Sequence, residues 1–179
     1  MVFKLDISTL NLQDALDMAV LIEKEAEDRY LLFADQIGRR YPGDAANFFT
    51  MMARNEQRHG VEVSERRRLL FGDTPSRVTA NMIGNDIEAP DPGKAIRYMS
   101  PRHALEVAME SEIKAYEFYN SILQVIQDVT VRELIKNLRD EELEHQKLLN
   151  EKKAGYADTL ESDFDPEIDD PHVFRIPES

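Results

Sequence analysis

Four glutamates and two histidines recur in a pattern that could bind metal: Glu23, Glu56-x-x-His59, Glu112 and Glu142-x-x-His145. Carboxylate oxygens and neutral imidazole nitrogens are ordinary ligands for divalent transition metals. Residues three apart share a helix face, so each Glu-x-x-His can present an oxygen and a nitrogen to one ion. The remaining carboxylates, Glu23 and Glu112, could then serve as terminal ligands or bridge two ions. Four glutamates in one buried layer would otherwise be costly, because desolvation and mutual repulsion push their pKa values up. Two divalent cations remove that cost, since four carboxylates and two neutral imidazoles balance a charge of +4.

A lone buried Glu or His is usually a hydrogen-bonded core group, and one Glu-x-x-His on a charged helix means little. What carries the metal reading is position. On helical spacing the first segment gives the stripe Leu12, Leu16, Ala19, Glu23, Ala26, Tyr30, Phe33, Ile37. The second gives Ala45, Phe49, Met52, Glu56, His59, Val63. The third gives Leu105, Ala108, Glu112, Ala115, Tyr119, Ile122, Ile126, and the fourth gives Val131, Ile135, Leu138, Glu142, His145, Leu149. Each alternates steps of three and four, the spacing of a bundle seam. Each is apolar except near its middle, where the candidate ligands stand.

The halves of the chain also repeat. "ALDMAVLIEKEAEDRY" from Ala15 lies over "ALEVAMESEIKAYEFY" from Ala104 at an offset of 89 residues, and "NEQRH" from Asn55 over "EELEH" from Glu141 at 86. Two helical hairpins are therefore expected, copies of one pattern. Tyr30 and Tyr119 each follow a stripe glutamate by seven residues. Helical side chains lean towards the N-terminus, so each phenol could reach back to the polar layer. It could act there as a hydrogen-bond donor or redox-active group, or be a core aromatic with a satisfied hydroxyl. His103 and His172 fall outside the stripes and read as surface residues. The methionines read as core filler.

The elements that must position these residues follow from local signals. Helix one spans about Asn11 to Ile37, capped by Asn11 and ended by Gly38; helix two spans Asp44 to Phe71 and stops at Gly72. Helix three starts at Ser100-Pro101 and runs to about Gln127. Helix four starts at the capping-box sequence Thr130 to Glu133 and fades near Gly155. Residues 72–99, rich in Pro and Gly, read as a long crossover with at most a short helical turn. Extended, 28 residues span roughly 90 Å, ample for a bundle about 40 Å long. The other connections are short, which makes two antiparallel hairpins. The expected fold is an all-α four-helix bundle over residues 1–155, followed by an acidic, Pro-containing tail over 156–179.

Composition bounds the rest. The 179 residues are 42% apolar and 32% charged, with net charge −13. Nucleic acid is not an expected partner, because phosphate binding needs a basic face. The one basic cluster, Arg66-Arg67-Arg68, sits near a helix C-terminus and reads as structural. Cysteine is absent, which excludes disulfides, thiolate catalysis and iron–sulfur ligation within these residues. "MVFKLDISTLNLQD" has no long apolar core, so no signal peptide is expected, no membrane span is expected either, and the default location is the cytoplasm.

Taken together, Glu23…Tyr30, Glu56-x-x-His59, Glu112…Tyr119 and Glu142-x-x-His145 resemble the ferritin-like di-iron carboxylate proteins, whose bundles carry this ligand pattern. "ESEIKAYEFY" and "DEELEHQKLL" are similar to the rubrerythrin branch, over roughly residues 10 to 153. The resemblance implies a ferritin-like bundle with two iron ions as cofactor, O2 or H2O2 as oxidant, an external electron donor and a homodimer. Iron storage, or a non-catalytic bundle holding zinc or manganese, would use the same ligands. The sequence departs from the rubrerythrin pattern in two places. It lacks the cysteines of a rubredoxin domain. Ala115 stands where an extra ligand glutamate is expected, leaving a six-ligand array closer to bacterioferritin, though Gln57 replaces that family's haem methionine.

Overall fold

Helix α1, Leu12–Arg40, opens with a reciprocal cap: the Asp14 amide donates to Asn11 Oδ1 at 2.9 Å and the Asn11 amide to Asp14 Oδ2 at 3.0 Å. Two of the orphan donors of the first turn are thus satisfied. The helix runs through Gly38 rather than ending there. A Cβ on Gly38 would lie 3.4 Å from Ala46 Cβ, so the glycine serves close approach to the next helix. Helix α2, Asp44–Phe71, ends at Gly72, whose φ of +56° and 2.8 Å bond to the Arg68 carbonyl make a left-handed cap. The computed structural model describes residues 10–40, 44–83, 87 and 100–156, and regular structure among them is entirely helical. The acidic tail expected over 156–179 lies outside the described residues from 157 onward, as does His172.

Among its described residues the crossover carries one short helix, α3, Ala80–Ile83. Its first part is fastened to the start of α1. Arg67 pairs with Asp17 at 2.7 Å and donates to the carbonyls of Gly72 and Thr74, while Arg77 pairs with the buried Asp14. Arg67 therefore does the structural work expected of the basic cluster. Val78 and Ile87 are buried in the core beneath this segment.

Helix α4, Pro101–Ile122, has the Ser100 cap and first-turn proline expected of it. It ends at Ile122, not Gln127, because the Arg132 guanidinium takes the carbonyls of Leu123 and Ile126 and closes the turn. Helix α5, Val129–Lys153, starts earlier than the Thr130 capping sequence suggests. Asp128 is its N-cap, accepting from the Val131 amide at 2.9 Å. An aspartate carboxylate there also suits the positive end of the helix dipole.

All four stripes face inward; only Leu12 at the start of the first is half-buried, and every other stripe residue is buried. The core falls into two apolar clusters. One joins Leu16 to Ile22 of α1, Val63 of α2, Ala115 to Ile122 of α4 and Val131 to Leu138 of α5. The other joins Tyr30 to Ile37 of α1, Ala45 to Ala53 of α2, Ala104 to Ala108 of α4 and Leu149 of α5. The order in which each helix visits the clusters makes α1/α2 and α4/α5 antiparallel hairpins. Between the clusters lies the polar layer.

Candidate metal centre

Glu23, Glu56, His59, Glu112, Glu142 and His145 are all buried, and the bundle brings them into that single layer. Each hairpin contributes three. The ring centroids of His59 and His145 lie 5.5 Å apart with 13° between planes, and the Nδ1 of each faces carboxylates of the layer. His145 Nδ1 lies 3.2 Å from Glu112 Oε2, 3.3 Å from Glu56 Oε1 and 3.9 Å from Glu142 Oε2. His59 Nδ1 lies 3.7 Å from both Glu23 Oε2 and Glu56 Oε2. Glu56 therefore sits between the two imidazoles, whereas Glu23 stands by one and Glu112 by the other.

Burial sets the electrostatics. Glu23 is pushed up to about 8, first by desolvation and then by the charges of Glu141 and Glu112, with a hydrogen bond to Glu56 opposing. His59 is pulled down to about 4, again first by desolvation and then by His145 and Arg58, so it is neutral at neutral pH. A neutral imidazole is the ligating form. Glu112 goes the other way from Glu23. Burial opposes its ionisation, but hydrogen bonds with His145, Glu142 and Tyr30 outweigh that and hold its pKa below the usual glutamate value. Without cations, then, the layer does not push every carboxylate up.

Tyr30 donates its phenol proton to Glu112 Oε1, across from α1 to α4. Its ring stacks on Phe49 at 6.1 Å, which fixes the hydroxyl. Tyr119 is fully buried on the opposite side of the layer, in the other apolar cluster. His103, half-buried near the start of α4, takes no part in the layer.

The flanks of the layer differ. On the α4/α5 side the Gln146 amide donates to the Glu112 backbone carbonyl at 3.2 Å. On the α1/α2 side the residue matching Gln146 in the repeat is Gly60, where a Cβ would stand 3.4 Å from Glu23 Cβ. A cleft of about 500 Å³ opens there, reaching Glu23 and Glu56 and edged by Glu27 and Gln57.

Two donor atoms of this layer, Glu23 Oε2 and His59 Nδ1, are buried without a hydrogen bond. Such atoms cost about 1–3 kcal/mol each when left unmatched. Their types suit a divalent cation, and three overlapping sets have ligand atoms within 4.8 Å of one another: Glu56/His59/His145, Glu112/Glu142/His145 and Glu23/His59/Glu141. The donor types and spacing thus fit metal binding. The first two sets contain only residues the stripes single out. The third adds Glu141, which sequence reasoning passed over.

The rubrerythrin family model matches residues 14–153, from the first turn of α1 to the end of α5. The chain belongs to the rubrerythrin family. A solved structure of an uncharacterized conserved protein from Magnetospirillum magnetotacticum MS-1 is similar to it at 28% identity and a TM-score of 0.70, covering 84% of this chain and 98% of that one. A hypothetical protein from Pyrococcus furiosus shares the fold at 20% identity and a TM-score of 0.57, covering 84% of this chain and 94% of that one. Among curated proteins none matches. The bundle is therefore ferritin-like, as the resemblance implied. Among the described residues of this rubrerythrin-family chain, no helix is long and apolar enough to cross a membrane.

Proposed function

We propose that the chain is a di-iron oxidoreductase that reduces O2 or H2O2 at a centre held by Glu23, Glu56, His59, Glu112, Glu142 and His145. The observation that carries this reading is the convergence of six buried donors, three from each hairpin, on one layer between two apolar clusters. Iron bound there would supply the electrons that O2 or H2O2 takes up. The chain's own groups do the rest. Four carboxylates offset the cation charge, and burial keeps His59 neutral and its Nδ1 able to ligate. Tyr30 holds Glu112 by its Oε1, leaving Oε2 turned to His145. The apolar clusters above and below exclude bulk water. The α1/α2 cleft gives a small oxidant a path to Glu23 and Glu56. The reductant is proposed to be an external electron donor. A cytoplasmic homodimer completes the proposal.

Anaerobic ferrous titration followed by rapid mixing with O2 and with H2O2 tests it. Saturation at two ions per chain, with oxidation faster than that of free ferrous ion, is expected. Saturation at one ion, or no acceleration, overturns it. Mass in solution separates a dimer from the closed shell that iron storage would need.

A further inference from the structure

The internal repeat is broken next to the centre. Glu141 of α5 corresponds to Asn55 of α2, so one hairpin carries a carboxylate where the other has a neutral amide. Glu141 Oε2 lies 4.0 Å from His59 Nδ1. It forms a compact ligand set with His59 and Glu23, which are 9% and 3% exposed. Each of these two partners has a buried atom, His59 Nδ1 and Glu23 Oε2, that makes no hydrogen bond. The Glu141 side chain itself is 41% exposed. It stands in a second cleft, about 230 Å³ between α2 and α5, with His59, Glu62 and Asn137 also on the wall. The carboxylate thus touches water on one side and the buried donors on the other.

A cation bound for a buried layer must exchange its water shell for protein oxygens and nitrogens. A half-exposed carboxylate allows that exchange in stages, since it can bind an ion that still keeps water. We propose that Glu141 is a fifth metal-binding carboxylate and a seventh ligand, which with Glu23 and His59 forms a solvent-reachable divalent-cation position in the α2/α5 cleft through which the buried layer fills. This rests on the two-metal reading above. It makes the two metal positions inequivalent: the one nearer His59 has an added oxygen ligand, and the one nearer His145 has none matching it. The extra ligand glutamate of the rubrerythrin pattern would stand on the third helix, where this chain has the fully buried Ala115. The extra carboxylate here comes from α5 and faces a different imidazole.

The test uses the full chain and Co²⁺, whose visible spectrum reports coordination without redox chemistry. Equilibrium titration and stopped-flow binding are compared for wild type, Glu141→Gln, Glu141→Asp and Glu144→Gln. Glu144 is an exposed acid on the same helix, paired only with Lys147 in its own turn, and controls for net charge. Glu141→Gln should weaken one of two binding steps by about tenfold or more and slow Co²⁺ uptake, leaving the other step within about twofold. Glu141→Asp should recover part of the loss, and Glu144→Gln should match wild type. Unchanged affinities and rates in Glu141→Gln overturn the proposal. Equal losses at both steps, or the same loss in Glu144→Gln, assign the effect to net charge and overturn it too. A wild type that does not bind two Co²⁺ ions overturns the two-metal reading along with it.

Discussion

Stripped of metal, the protein should lose stability as pH rises from 6.5 to 8. Glu23 titrates near 8 in the folded chain against an ordinary value of 4.5. Between those values the folded state holds a proton that the unfolded state has released, so stability falls as pH rises. Each pH unit inside the window is worth about 1.4 kcal/mol, which gives about 2 kcal/mol from 6.5 to 8. For a domain of this size that is a drop of about 4–8 °C in melting temperature. His59 acts in the opposite sense. Its folded value near 4 lies below the ordinary 6.5, so the unfolded state holds the extra proton and stability falls as pH drops through that window. The two effects offset each other from about 4.5 to 6.5 and leave a plateau there. Above 6.5 His59 no longer offsets Glu23. Urea denaturation of chelator-treated protein at pH 5.5, 6.5 and 8 measures this, with Glu23→Gln as the control that should remove the fall. Apo protein equally stable at 6.5 and 8, or a fall that survives in Glu23→Gln, would refute the reasoning.

Tyr30→Phe removes a donor from the buried Glu112 and should cost the apo protein about 1–3 kcal/mol in urea denaturation at pH 7, with part of the loss regained on acidification. Gly60→Ala adds a Cβ at ordinary contact distance from Glu23 Cβ, so it should stabilise α2 by up to about 1 kcal/mol. Gly60→Leu should in addition extend into the α1/α2 cleft and slow oxidation of the ferrous protein, read by stopped flow. Ala115→Glu places a carboxylate one turn from Glu112 in a fully buried site; it should lower the apo melting temperature and raise the ratio of the H2O2 to the O2 oxidation rate. A wild type that already reacts with peroxide orders of magnitude faster than with O2 would make the Ala115 argument wrong.

The sequence made the bundle and the six-residue layer legible because both are written in period. A stripe of steps three and four survives any detail of loop or cap, and a Glu at its centre contradicts the apolar pattern loudly enough to notice. Glu141 was not legible for the opposite reason. It stands off the stripe beside Glu142, in a run of acids that a solvated helix face would also show. Only the packing of α5 against His59 separates it from Glu144. Helix ends were partly legible. Asp128 and Thr130 can both cap, and what selects Asp128 is Arg132 gathering the carbonyls of Leu123 and Ile126, a contact no local motif announces. The opposite shifts of Glu23 and Glu112 were hidden as well, since they depend on how deeply each is buried and on His145 bonding to Glu112, neither of which the period of the stripes shows.

That Gly60 and Gln146 occupy matching places in the repeat gives the centre a door and a wall. A twofold array would be open or shut alike on both sides, and any change that eased traffic would also loosen grip. Here the two demands fall on different copies. The hairpin with Gln146 ties down the backbone of its own glutamate and can be selected for retention. The hairpin with Gly60 leaves its glutamate beside open space and can be selected for exchange with solvent. The two copies thus differ beside the layer: one is tied down by a side-chain bond to its own backbone, and the other borders a cleft.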